Sequence, residues 1–382
     1  MPSNFNNQEL TDIKFNGVDV SEAYFNGALV FDANQFVSTW RTTTANETIT
    51  LPTPTNYTVN WGDGTITTDA NSHEYATSGD YEIKISGEID DFAFVSNGDK
   101  LKILDVSNNG GLYIIRGIFY GCENLSTIDN NMKSEDEFLT NIFRNCYEFN
   151  SDLSSLDTYN SNSFSSAFDN ARLFNQDLSM WNTSKVTSLQ SCFYQAYAFN
   201  GDISTWDVSK VTSMATAFFG TSSFNGDISN WVTTSLVSCA TAFQDAVLFD
   251  SDIGGWDVSN VMQMQNMLRN TSFNHPLNLW DTSSVQNMKN LFAFTTAFNQ
   301  NISSWSFVSV TDMSNFMLLK TENDYDANYL SDLLIKLDQD LVFANMVNVN
   351  LGFGTIKYDS TGVTAYNSLV AKGFIIQSGG QL

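Results

Sequence analysis

Five aspartates, Asp152, Asp177, Asp202, Asp227 and Asp252, recur at intervals of 25 residues. If a repeating backbone stacks them on one edge, neighbours lie about 5 Å apart. Carboxylates that close repel unless each is hydrogen-bonded, solvated or bridged by a cation. The column therefore reads either as a set of turn acceptors for backbone N–H groups or as a calcium-bridged edge. No EF-hand or RTX-type spacing accompanies it, and it breaks at Pro276 and Asn301. The turn reading is expected, with no metal and no cofactor. A second column is aromatic: Trp181, Trp206, Trp231, Trp256, Trp280 and Trp305. Rings repeating in this way fill volume in a core or, if exposed, form a platform for sugars; core packing is expected. A third column is Asn150, Asn175, Asn200, Asn225, Asn274 and Asn299, with Asp250 in one place. These amides are expected to hydrogen-bond backbone in the interior of each turn.

Other chemistry has little material. The chain has two histidines, His73 and His275, which leaves little for a Ser–His–Asp arrangement or a histidine-ligated metal. Cys122 and Cys146 occupy equivalent places, and Cys192 and Cys239 fall in a segment read as helical. All four read as small buried side chains, not as a zinc cluster or a disulfide framework. Carboxylate pairs suited to glycoside hydrolysis are plentiful. They repeat with the period, whereas a catalytic pair is a local exception to a repeat. No catalytic residues are expected.

The columns belong to one period. Phe149, Phe174, Phe199, Phe224, Phe249, Phe273 and Phe298 follow each other at 24 or 25 residues, and each tryptophan lies seven residues after its phenylalanine. Two further apolar columns run in phase, one through Leu189, Met214, Cys239, Met264, Met288 and Met313, the other from Phe119 to Met317. Within a unit, Phe199 and Ile203 have strand-like even spacing, whereas Val211, Met214 and Phe218 fall at i, i+3 and i+7, one face of a short helix. Ser209 stands where it could cap that helix, as do Ser184, Ser259 and Ser283. The expected fold is a repeat solenoid, leucine-rich-repeat-like, with a short parallel strand and a short helix in each of about nine turns over residues 93–320. One such unit cannot bury its own apolar face, so stacking must do it.

The unit FN-x-D-[IL]-S-x-W-[DN]-x-S-x-V-x-x-M-x-x-x-F resembles the BspA-like bacterial surface-protein repeat, a divergent leucine-rich repeat, and FYGCENLSTID at 119–129 resembles its more leucine-rich version. Upstream, YTVNWGDGTITT and HEYATSGDYEIKISGE resemble a PKD-type β-sandwich on the strength of Trp61, Gly62, Asp63, Gly64, His73, Tyr75, Gly79 and Tyr81. This resemblance implies a non-catalytic spacer or interaction domain over 35–92. Residues 1–34 contain FNG twice, ten residues apart, and read as two hairpins, Ile13–Val20 and Ala23–Phe31. They loosely resemble attachment modules of tailed-phage structural proteins. From 321 the period fails; two helices and a last strand in 321–382 read as an α/β cap over the open end.

The formal charge is −25, from 42 acidic against 17 basic residues, which excludes ordinary nucleic-acid binding. The opening MPSNFNNQELTDIKF has no basic region followed by an apolar run, so neither an export signal nor membrane insertion is expected. The expected function is a non-enzymatic, surface-displayed interaction or adhesion protein: a tailed-phage virion component such as a fibre, receptor-binding or decoration protein. A bacterial cell-surface adhesin is the first alternative, and a polysaccharide-degrading β-helix enzyme the second. The expected partners are other virion proteins, a host-surface protein or a glycan, with a homo-oligomer compatible. If the repeats encode function, it lies at positions that vary between copies, such as Thr205 against Asn230.

Overall fold

A computed structural model describes residues 35–52, 57–87, 93–94, 98–110, 115–130, 137–341 and 350–382, together with the backbone of four short strands between 14 and 32. Those strands are β1 (Lys14–Phe15), β2 (Val18–Asp19), β3 (Glu22–Phe25) and β4 (Ala28–Asp32). β1 pairs antiparallel with β2, and β3 with β4. The Asn-Gly turns expected at 16–17 and 26–27 lie outside the described residues.

Alternating apolar residues then build sheet. β5 (Phe36–Thr42) buries Phe36, Ser38, Trp40 and Thr42 on one face. β6 (Glu47–Thr50), β7 (Tyr57–Asn60), β8 (Ile66–Thr68), β9 (Ser72–Tyr75) and β10 (Gly79–Gly87) follow. β11 (Ile103–Asn109) and β12 (Thr127–Ile128) lie beyond the boundary drawn at residue 92, yet they join the same sheet. Its order is β12-β11-β5-β10-β7-β8, with β6 and β9 paired separately. β11 runs antiparallel to β5 and parallel to β12. The sheet thus continues from residues 36–87 into the first repeat unit.

From 137 to 320 the expected architecture is overturned. The leucine-rich-repeat-like solenoid needs a strand and a helix in each of about nine turns, and neither forms here. Both helices among the described residues lie after the repeat: α1 (Ala327–Asp340) and α2 (Val363–Ala371). FNGDIS forms no strand, and the segment containing Val211, Met214 and Phe218 is a run of turns. Each unit contributes only a single parallel bridge residue, along Phe138, Ser163, Ser188, Ser213, Ser238, Gln263, Asn287 and Asp312. The cause is backbone conformation. Thr216 and Gly220 both have positive φ (57° and 68°), as do Asn266 and Asn270, and Asn141 and Asn145. A left-handed residue every fourth position ends any α-helix before its second turn.

The N–H groups find other partners. In the unit containing Phe218, those of Met214, Thr216, Phe218 and Gly220 donate to carbonyls of the next unit, those of Ser238, Ala240, Ala242 and Gln244 (2.8–2.9 Å). The alternate ones, on Ala217, Phe219 and Thr221, donate three residues back within the unit (3.0–3.2 Å). The Ala215 N–H donates to the Ser213 hydroxyl (3.4 Å), so all eight donors of the run are satisfied, four between units and four within, as burial requires. Side chains at i, i+3 and i+7 still face inward, so the apolar spacing suits these turns as well as a helix. Ser209 is not a helix cap; its N–H donates to Asp207 (3.0 Å).

The inward columns stack in register. Successive rings lie 6.0 Å apart between Phe199 and Phe224, 5.3 Å between Phe218 and Phe243, and 6.4 Å between Trp206 and Trp231. The open end is met by α1, which buries Leu330, Leu333, Leu334 and Leu337. β13 (Asn350–Gly352), β14 (Lys357–Tyr358), β15 (Ile375–Gln377) and β16 (Gly380–Gln381) complete this part, with β13 parallel to β15 and β14 parallel to β16. Lys320 is fully buried at this junction, and its Nζ donates to the carbonyls of Thr296, Phe298 and Asp324 (3.2, 2.6 and 3.4 Å). No helix among the described residues is long and apolar enough to cross a membrane.

Candidate functional site

The aspartate column lies exposed along one edge. Asp152, Asp177 and Asp202 each accept the N–H two residues ahead at 2.8 Å, Asp227 at 3.0 Å and Asp252 at 2.9 Å. This is the Asx turn, in which a short carboxylate replaces a backbone acceptor. Asn301 makes the same bond to Ser303 (2.9 Å), so the column needs an oxygen there and not a charge. Hydrogen bonds from the backbone N–H and hydroxyl two residues ahead hold Asp152, Asp177 and Asp227 below the usual carboxylate range. Among the described residues, no group of three or more His, Cys, Asp or Glu side chains is placed to hold a metal. A second set, Asp157, Asp207, Asp257 and Asp281, makes equivalent turns at 2.9–3.0 Å. Sequence reasoning missed it, although three of the four stand two residues before a serine, as Asp-x-Ser.

The asparagine column is a ladder between units, and it is exposed, not interior. The side-chain oxygen of each residue accepts the N–H of its equivalent in the next unit: Asn150 from Asn175, Asn175 from Asn200, and Asn200 from Asn225 (2.8–2.9 Å). Asn225 serves Asp250, Asp250 serves Asn274 and Asn274 serves Asn299 (2.8–2.9 Å). Asn299 hands the ladder to Asp326 (2.9 Å), the residue that caps α1. The tryptophans are core. Trp181, Trp206, Trp231, Trp256 and Trp280 are 3% exposed or less, and Trp305 is fully buried. Each indole N–H donates to a leucine or isoleucine carbonyl of the preceding unit (2.8–3.1 Å). A ring held this way presents no face to a sugar.

In the sheet, Trp61 is buried and its indole N–H donates to Thr67 (2.8 Å). Gly62 has φ 81°, and a Cβ there would lie 2.6 Å from the Glu82 carbonyl oxygen, so glycine is required. Gly64 also has positive φ. Asp63 accepts the Thr65 N–H (2.9 Å) and pairs with His73 Nε2 (2.7 Å), while the imidazole stacks on Trp61 (5.2 Å). Partial burial pushes the Asp63 carboxyl up, but hydrogen bonds from His73 and Thr65 bring it below its ordinary value. This histidine ties a turn to a core ring. His275 Nε2 lies 2.7 Å from the Asp250 carbonyl oxygen. Neither histidine meets a serine or cysteine among the described residues. All four cysteines are buried, and burial raises every thiol, that of Cys239 to about 12. A groove of about 600 Å³ lies between the sheet and the first units, lined by Arg41, Glu47, Leu101, Lys102, Asn124 and Glu148 among others. Its two cations are already engaged, Arg41 with Asp80 (2.7 Å) and Lys102 with Glu47 (3.1 Å).

Outside these columns, one corner differs from the rest of the repeat surface. It comprises the places that Phe219, Gly220, Ser222 and Ser223 hold in their unit. Three of the chain's five arginines, Arg144, Arg172 and Arg269, fall there, as do four of the five tyrosines between 115 and 320: Tyr120, Tyr147, Tyr194 and Tyr197. Guanidinium groups stack on rings, Arg172 on Tyr147 (4.0 Å) and Arg269 on Phe294 (4.6 Å), and Tyr194 stacks on Phe219 (4.7 Å). Leu173, Val247 and Leu248 lie exposed along it. The available signal was variation: these places change in chemical character from unit to unit, while the inward columns stay apolar. Thr205, by contrast, is exposed but spends its hydroxyl on the Ser179 carbonyl (2.7 Å).

The geometry defines a repeat protein whose repeated side chains bind one unit to the next and whose varied side chains face outward. Residues 114–231 and 212–329 match the family described as "Mycoplasma protein of unknown function, DUF285". Together these stretches span more than half of the chain, which belongs to this family. No curated protein matches it.

Proposed function

We propose that this is a non-enzymatic interaction protein, displayed on the outside of a particle or cell, which docks a macromolecular partner along the arginine–tyrosine corner. The observation that carries the reading is the segregation at that corner. Tyr and Arg are residue types that dominate binding energy at interfaces, and here they gather at one corner, beside exposed Leu173, Val247 and Leu248, on a surface where Asn, Asp, Ser and Thr are the commonest residues. The carboxylates and indoles that could have served catalysis or sugar binding are engaged in Asx turns and cross-unit hydrogen bonds.

The likeness of the unit to BspA-like repeats, and of residues 35–92 to a PKD-type spacer, supports display at a surface. The paired strands β1–β2 and β3–β4, which resemble phage attachment modules, favour a tailed-phage virion component. The description of the family as a Mycoplasma protein favours the second reading, a bacterial cell-surface adhesin.

Immunogold imaging of purified virions and of intact cells separates the two settings. Binding of the full chain to host cells tests the shared claim. Replacing Tyr197, Leu173 and Leu248 together with serine is expected to lower binding at least about tenfold, and unchanged binding overturns the assignment of the corner. Release of oligosaccharides from capsule or envelope polysaccharide overturns the non-enzymatic reading.

A further inference from the structure

Carboxylates outnumber cations 42 to 17 in this chain, so an arginine without an acidic partner is unexpected. Arg41 pairs with Asp80 (2.7 Å), Arg144 with Asp169 (3.0 Å) and Arg269 with Asp245 (3.5 Å). Arg172, exposed on the corner, pairs with no carboxylate among the described residues. It is nevertheless held in place. Its guanidinium carbon lies 4.0 Å from the Tyr147 ring centroid, and its Nε donates to Asn170 Oδ1 (3.0 Å). Asn170 is in turn anchored through its Nδ2 to Asn145 Oδ1 (3.0 Å). With one face on a ring and Nε engaged, the two terminal nitrogens remain as a planar fork. That fork matches a carboxylate bidentately, and little entropy is lost in using it.

The surroundings narrow the occupant. The Leu173 N–H donates to the Tyr147 carbonyl (3.3 Å) and the Ala198 N–H to that of Arg172 (3.1 Å), so Leu173 follows Arg172 along the corner and Tyr197 stands on the segment paired with it. Leu173 is 49% exposed and Tyr197 41%. We propose that Arg172 anchors a site for a single carboxylate carried on a protein segment whose neighbouring side chains are apolar. The inference rests on the corner being the docking surface and names what it docks. A polyanion such as a uronate chain fits poorly, because a net charge of −25 repels it at long range. Sugar rings have a small platform here: the Tyr147 face is covered by Arg172, and Tyr194 and Phe219 stack on each other, which leaves Tyr197 to supply the exposed aromatic face. One carboxylate in an otherwise neutral or basic segment meets both the fork and the apolar flank.

The test titrates the full chain, by nuclear magnetic resonance, with capped peptides carrying one glutamate between leucines, with their glutamine counterparts, and with oligogalacturonate. The glutamate peptide is expected to bind at least about tenfold more tightly than the glutamine one. Arg172→Gln should abolish that preference, Arg172→Lys should weaken it because an ammonium is not a fork, and Leu173→Ser should weaken both peptides alike. Equal binding of the two peptides, an unchanged preference in Arg172→Gln, or tighter binding of oligogalacturonate overturns the proposal. The parent reading is judged separately by host-cell binding of the Tyr197, Leu173 and Leu248 triple variant. If that variant loses cell binding while the peptides show no carboxylate preference, the docking surface stands and its occupant is wrong. If cell binding is unchanged as well, both fall.

Discussion

In the sheet, Lys84 of β10 pairs with Val37 of β5 on one side and Asn60 of β7 on the other through backbone alone. In the stack, Asn225 joins its neighbours by accepting the Asp250 N–H on its side chain while donating its own N–H to Asn200. Trp231 adds an indole N–H bond to Ile203 (3.1 Å). A backbone ladder accepts almost any residue that suits the pleat and the buried face. A side-chain ladder accepts only the few types that carry the right atom at the right reach. The first region therefore shows only alternation in its sequence, whereas the second shows the same residue type at nearly every turn.

Breaking the inward column should have the largest effect. Trp231→Ala removes a buried ring, its stacking on Trp206 and Trp256, and the bond to Ile203. The expected loss is about 3–5 kcal/mol, measured by urea denaturation; a loss below about 1 kcal/mol would mean that this column does not hold the stack. Next comes Lys320, whose burial lowers its pKa to about 8 from an ordinary 10.5. Between those values the unfolded chain holds a proton that the folded chain has released. Stability should therefore rise with pH across that window, by on the order of 3 kcal/mol. Lys320→Met should lack this component, and parallel pH profiles of the two proteins would refute it.

The ladder itself gives a smaller and sharper contrast. Asn225→Ala leaves the Asp250 N–H without its acceptor and should cost about 1 kcal/mol. Asn225→Asp should cost under about 0.5 kcal/mol, because Asp250 already does this work for Asn274 (2.9 Å). Equal losses from the two substitutions would show that the oxygen is not what matters. Smallest of all, Thr216→Asn should raise stability by about 0.5–1 kcal/mol. A β-branched residue is strained at φ 57°, where this column also uses Asn266 and Asn290. A lower melting temperature would argue that the Thr216 hydroxyl contact with Ser191 (2.7 Å) outweighs the strain.

Much of the candidate site was legible in part. That Asp177 and Trp206 belong to structural columns follows from counting, because a side chain repeated with the backbone does the same work in each turn. That the asparagines lie exposed, and bind the next unit instead of their own interior, does not follow, since both placements use the same amide. Arg172 could be noticed as a departure from its column. Its lack of a carboxylate partner among the described residues could not, because that depends on which of 42 acidic residues the fold brings near it.

The period, the inward placement of the apolar columns and the place where the repeat gives way to a helical end can be read from residue spacing alone. Hydrophobic side chains at recurring intervals must share one buried face whatever the backbone does between them. The backbone conformation between them is set by the contacts between units. The N–H groups of Met214, Thr216, Phe218 and Gly220 can serve an α-helix within the unit or carbonyls of the next unit, but not both. Stacking supplies those outside carbonyls all along the chain, and the left-handed conformations of Thr216 and Gly220 aim the donors at them. Turns therefore form where the periodicity alone was equally consistent with a helix.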